Sequence, residues 1–152
     1  MDDIDRRIVQ MLQDNARISY AELARQVGLT SPSVQERVAK LERNDVITGY
    51  RAQINPEAVG LGITALVGLV TDSSTAYADV AETVRDIDEV ESCYFMAGAE
   101  SYLIKVRVGT MAELEQLVTR ISMLPGVAGT RTAIALSTKW ENRPQQRTIR
   151  PE

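Results

Sequence analysis

The side chains best suited to recognition chemistry in this 152-residue sequence stand close together. Thr30, Ser31, Ser33, Gln35, Arg37, Lys40 and Arg43 fall within TSPSVQERVAKLER, and Arg51 follows shortly after. Hydroxyls and amides can hydrogen-bond base edges, while guanidinium and ammonium groups neutralise phosphates. If the stretch is a helix lying in a DNA groove, its N-terminal turn meets the bases, so Ser31, Ser33 and Gln35 are the candidates for specificity. Lys40, Arg43 and Arg51 suit the phosphate backbone, and Arg37 at the helix edge could reach a phosphate or a guanine. Glu36 stands awkwardly among them, because a carboxylate repels phosphates. It could accept from cytosine N4 or penalise wrong sites. The plainer alternative is a solvated helix face with i,i+4 pairs such as Glu36–Lys40.

Other chemistries are poorly provided for. The chain has no histidine, which removes the commonest general base and metal ligand and leaves no expected metal site. The single cysteine, Cys93, excludes an intramolecular disulfide and fits a reducing, cytoplasmic setting. Within an apolar stretch it reads as a small core or interface residue. Gly60–Ala65 matches the dinucleotide fingerprint GxGxxA, but it follows Asn-Pro and opens a strand rather than a helix, so the match is fortuitous. No apolar run approaches the ~20 residues needed to span a bilayer.

The elements that would carry the DNA-facing residues are legible from spacing. Asp3–Asn15 places Ile4, Ile8, Met11 and Leu12 at helical period behind an acidic start that suits the helix dipole. Ser19 with Glu22 forms a capping-box pattern, and Leu23, Ala24 and Val27 follow at helical spacing. Gly28 can supply a left-handed turn. Thr30 can cap a further helix with Pro32 in its first turn and Val34, Val38 and Leu41 inward. Two helices around a glycine turn describe a helix-turn-helix, whose ligand is duplex DNA. The next residues, VITGYRAQI, predict a short hairpin about Thr48-Gly49, which would make the unit winged.

The second half predicts strand, helix, strand, twice over: Ile63–Val70, a helix through Val80 and Val84, Val90–Ala97, then Tyr102–Val108, Ala112–Ser122 and Val127–Leu136. This is a βαββαβ ferredoxin-like pattern, a four-stranded antiparallel sheet with both helices on one face. The fold class is therefore α+β, with a winged helix-turn-helix at 1–50, a linker at 51–60, the ferredoxin-like domain at 61–140 and an extended tail at 141–152. Strand Ile63–Val70 is apolar at both parities, which implies a cover for the sheet's second face. A second copy supplies one, giving a symmetric dimer and a roughly palindromic DNA site. Net charge is −4, but residues 1–54 balance eight basic against eight acidic side chains. One copy should therefore bind DNA modestly, and pairing should raise the affinity.

Taken together, these halves resemble the Lrp/AsnC (leucine-responsive, or feast/famine) family of transcription regulators. The resemblance runs from about Asp3 to Lys139 and rests on ELARQVGLT at Glu22–Thr30, RVAKLERNDVITGYRAQINPEAVG at Arg37–Gly60, the Gly98 loop, and LPGVAGTRT at Leu124–Thr132. It implies homodimers that assemble further, often to octamers, in the bacterial or archaeal cytoplasm. It also implies a small effector, commonly an amino acid, bound by the C-terminal domain, and no other cofactor. The effector loop here reads Gly98, Ala99, Glu100, Ser101, Tyr102. In this loop backbone N–H groups could hold an effector carboxylate and Glu100 or Ser101 its ammonium, with Met96, Thr132 and Ala133 as neighbours. The family commonly has an aspartate where Ser101 stands, so the effector's identity is left open. Without an effector, the alternative is an architectural nucleoid protein. An enzyme like the haem-pathway decarboxylases, which share the two-domain layout, would need histidines that this chain lacks.

Overall fold

The computed structural model describes residues 1–72 and 77–144, with the side chains of all but 77–79. The chain forms two compact units: Met1–Gln53 with the described residues from Trp140 onward, and Ile54–Lys139. The part of the polar stretch Thr71–Thr75 beyond Asp72, and the tail beyond Pro144, lie outside the described residues.

The first unit has three helices, α1 (Asp3–Asp14), α2 (Tyr20–Val27) and α3 (Ser31–Arg43). A reciprocal cap starts α1: the Asp5 N–H donates to Asp2 Oδ1 at 2.8 Å and the Asp2 N–H to Asp5 Oδ2 at 3.1 Å. At α2 only half of the expected box forms. Ser19 Oγ accepts the Glu22 N–H at 3.2 Å, while the Glu22 carboxylate is held by Arg25 and Gln26 instead. Gly28 leaves α2 at φ +73°, in the left-handed region, and Thr30 caps α3. Ile8, Leu12, Leu23, Ala24, Val34, Val38 and Leu41 form the core. Burying each large aliphatic side chain contributes about 1.5–3 kcal/mol.

The expected wing hairpin is not formed. No strand occurs between α3 and Asn55. Asp45 turns the chain at φ +53°, and the N–H groups of Val46 and Ile47 both donate to Leu41 O, at 2.9 and 3.2 Å. Those groups close the end of α3, and Ile47 packs against the core. A lone two-stranded ribbon is marginal in water, so helix capping wins over ladder pairing. Tyr50 then donates its hydroxyl to Glu42 at 2.9 Å; burial, with Glu42 beside it, pushes its phenol up to about 12.

The second unit opens with a 3-10 turn at Glu57–Val59 and continues as β1 (Ile63–Thr71), α4 (Tyr77–Arg85), β2 (Val90–Phe95), β3 (Tyr102–Val108), α5 (Met111–Ser122) and β4 (Val127–Ile134). The sheet runs β2-β3-β1-β4, every pairing antiparallel, so the expected βαββαβ domain is present. Alternation sends Ala65, Val67 and Leu69 of β1 and Tyr102, Ile104, Val106 and Val108 of β3 into the core, where they meet Val80, Val84, Leu114, Leu117 and Ile121. The opposite face is less apolar than the sequence predicts. Beside Leu66 and Tyr94, which are exposed, it carries Glu91 paired to Lys105 at 2.9 Å and to Arg107 at 2.6 Å. Arg107 also reaches Thr64 Oγ1 at 3.0 Å. Burial raises the Glu91 carboxyl, but the two cations outweigh it and hold the group below its ordinary value. Cys93, read from the sequence as a core or interface residue, is exposed on the edge strand β2 of the single chain and so is not in its core.

Candidate functional site

α3 buries Val34, Val38 and Leu41 and leaves Pro32, Ser33, Gln35, Glu36, Lys40 and Arg43 exposed. Lys40 and Arg43 sit in the last turn, where cations suit the helix dipole. Neither pairs with another described residue, and the Glu36–Lys40 pair does not form. Both cations are thus available to phosphates, as is exposed Arg51 in the extended segment that follows.

Other DNA candidates are already engaged. Arg37 Nη1 lies 2.7 Å from Asp2 Oδ2 and 2.6 Å from Asp5 Oδ1, so it ties the start of α1 to the middle of α3 and is not a free cation. Hydrogen bonds to Asp2 and Asp5 raise its pKa. The Asp5 N–H, then Arg37, hold the Asp2 carboxyl below its ordinary value. Thr30 Oγ1 takes the Ser33 N–H at 3.4 Å and lies 2.9 Å from Ser33 Oγ, so these two hydroxyls are bonded to each other. Ser31 is half-buried. Gln35 remains exposed and without a partner among the described residues. Sequence reasoning missed the Arg37 anchor because its partners are 35 and 32 positions away. The Asp2–Asp5 spacing was the one local sign that a cap begins there.

The second candidate region is the hairpin joining β2 to β3. Met96 N–H donates to Ser101 O at 2.9 Å, and Ser101 N–H to Leu69 O at 2.8 Å. Ser101 Oγ lies 2.7 Å from Thr71 Oγ1. Ser101 therefore fastens the loop to β1, which occupies the hydroxyl expected to meet an effector. The N–H groups of Gly98, Ala99 and Glu100 have no partner among the described residues, and Gly98 takes φ +158°. Glu100 lies across Gly68 of β1: a Cβ placed on that glycine would stand 2.6 Å from Glu100 Cγ. Its carboxylate accepts from Arg131 of β4 at 3.2 Å. Tyr102 points the other way, buried beside Phe95 with ring centroids 5.3 Å apart, and so is not on the Glu100 side. Ala133 pairs with Leu66, and Thr132 with Val67, whose side chain is in the core. The loop thus sets Glu100, which follows Gly98 and Ala99 in the chain, against Arg131. Nothing local marks Arg131, since only the β1–β4 register places it opposite Gly68.

No helix among the described residues is long and apolar enough to cross a membrane. Residues 1–42 match the AsnC-type helix-turn-helix domain, and residues 64–145 the Lrp/AsnC ligand binding domain. The chain is 42% identical over 143 residues to the HTH-type transcriptional regulator LrpA of Mycobacterium tuberculosis, covering 94% of this chain and 95% of that protein. It is 32% identical over 152 residues to the regulatory protein AsnC of Escherichia coli K12, covering 99% and 97%. Among solved structures, the feast or famine regulatory protein from M. tuberculosis, complexed with L-methionine, superposes with a TM-score of 0.90 at 43% identity, over 95% of this chain and 97% of that one. E. coli AsnC gives 0.83 at 32% identity, over 99% of each. An AsnC-type DNA-binding unit followed by this ligand-binding domain, matched along nearly the full chain, places the protein in the Lrp/AsnC family of transcriptional regulators, not among enzymes.

Proposed function

We propose that this regulator reads roughly palindromic DNA as a cytoplasmic homodimer that assembles further, and that an amino acid bound at the Gly98 loop changes that assembly. The observation that carries the sensing part is the loop's charge layout. Three adjacent N–H groups without partners stand next to a Glu100–Arg131 pair. A zwitterion could split that pair, giving its ammonium to Glu100 and its carboxylate to Arg131 and the N–H groups of Gly98 and Ala99. L-Methionine in the M. tuberculosis relative is a ligand of this kind.

Dimerisation is supported by the sheet face opposite the helices, where Leu66 and Tyr94 are 39% and 54% exposed. In this reading 1–50 is the DNA reader, 51–60 the linker, 61–140 the sensing and pairing domain and 141–152 the tail. Gln35 and Ser33, on the flanks of the exposed face of α3, contact base edges, with Ser31 behind them. Lys40, Arg43 and Arg51 bind phosphates, and Thr30 caps the helix. Half-sites lie about one helical turn (~34 Å) or a multiple apart. An effector shifts DNA affinity only as far as it binds two assembly states differently. The test is size-exclusion chromatography and operator binding with and without each amino acid. A change in both with at least one amino acid is expected. No change with any of them would remove the sensing function and leave an effector-independent, architectural DNA-binding protein.

A further inference from the structure

On α3 the outward direction is set by what is buried. At about 100° of rotation per residue, Glu36 lies roughly 165° around the helix from the mean direction of Val34, Val38 and Leu41, against roughly 95–105° for Gln35 and Ser33. Glu36, with exposed Arg43 at roughly 175° two turns further along, therefore occupies the centre of the exposed stripe, and the two polar side chains favoured from sequence flank it. Its neighbours one turn away are Pro32 and half-buried Ala39, both short, and exposed Lys40. No described residue bonds to it, Lys40 included.

We propose that Glu36 is a base-reading residue of this helix, accepting a hydrogen bond from a cytosine N4 amino group in each half-site. The proposal rests on the DNA reading of α3. A carboxylate at the centre of the docking face is repelled by every phosphate and by the acceptors N7 and O6 of guanine and O4 of thymine. It fits the major groove only where it meets a donor. The groove offers two, cytosine N4 and adenine N6. Adenine N6 sits beside the N7 acceptor of the same base, which opposes a second carboxylate oxygen, whereas cytosine carries no acceptor of its own on that edge, the nearest being O6 of the paired guanine. Glu36 thereby rejects most sequences by repulsion and admits cytosine by one charge-assisted bond.

In vitro selection from a random duplex library, with the full-length protein and its Glu36→Gln and Glu36→Ala variants, tests this. The native protein should enrich a motif with one fixed C·G pair per half-site, and changing that cytosine should weaken binding about 10-fold or more. Glu36→Ala should keep the rest of the motif and lose preference at that position, while binding random DNA more tightly at low salt. Glu36→Gln, which keeps the shape, should move the preference toward adenine. Unchanged circular dichroism in both variants shows that they fold. A Glu36→Ala motif that retains the fixed cytosine overturns the proposal and leaves the DNA reading intact. A native protein that binds DNA but enriches no motif overturns sequence reading by Glu36 and by α3 alike, and one that binds no DNA overturns the functional reading itself.

Discussion

Replacing Gly68 with alanine separates the sensing role proposed for the Gly98 loop from its stability. The new Cβ would lie 2.6 Å from Glu100 Cγ and 3.4 Å from Glu100 Cβ, so one of them must move by roughly 1 Å to reach ordinary contact. The loop cannot easily withdraw, since Ser101 holds it to β1 through its N–H and its hydroxyl. If Glu100 stayed in place, the overlap would cost about 1–3 kcal/mol. If instead its side chain rotates away, the loss is the pair with Arg131, which is 70% exposed; such pairs contribute only about 0–1 kcal/mol. Rotation is cheaper and should win, and alanine in place of glycine within a strand returns about 0.5–1 kcal/mol. The melting temperature should therefore shift by no more than about 4–8 °C, while the amino-acid response of operator binding is lost. Thermal denaturation followed by circular dichroism, and DNA-binding titrations with and without amino acids, measure the two effects. Glu100→Gln should also abolish the response, with almost no change in stability. A Gly68→Ala protein with a native response would show that the Glu100 carboxylate is not where a ligand is read. A melting point lowered much further would show that Glu100 cannot rotate away.

Three other expectations concern the N-terminal unit. Because Asp2 has a folded-state pKa below its unfolded value, its contribution to stability is complete above about pH 4 and is lost as pH falls through the folded pKa. Acid unfolding of the helical unit should begin below about pH 4, and Asp2→Asn should flatten that dependence. Arg37→Ala should lower the unit's melting temperature, and its loss of DNA binding should disappear on cooling; a loss that persists in a fully folded variant would make Arg37 a DNA contact after all. Lys40→Ala and Arg43→Ala should each weaken binding to specific and random DNA alike. Each should also reduce the slope of log affinity against log salt by about 0.9 per phosphate contact in every subunit. An unchanged slope would remove that residue from the phosphate-binding set.

Local patterns in the sequence carried most of the architecture. Period 3.6 at Ile8 and Leu12, at Leu23, Ala24 and Val27, and at Val34, Val38 and Leu41 fixes three helices and their shared core, because each stripe is stable only when buried against the others. Period 2 along Ala65–Leu69 and Tyr102–Val108 does the same for the sheet. Gly28 and Thr30 mark the turn between α2 and α3 through backbone geometry alone. What the sequence could not decide depends on contacts between residues far apart in the chain. Arg37 reads as a DNA contact until Asp2 and Asp5 are folded beside it. Thr48-Gly49 reads as a hairpin until Val46 and Ile47 are used to close α3. Ser101 reads as a ligand group until Thr71 takes its hydroxyl, and Arg131 acquires meaning only when strand register sets it beside Glu100. In each case a polar group's role depends on which partner reaches it first. A side chain's periodicity is a property of its own segment, but its free hydrogen-bonding capacity is a property of the whole fold, so the helices and strands were legible in the sequence and the availability of the site residues was not.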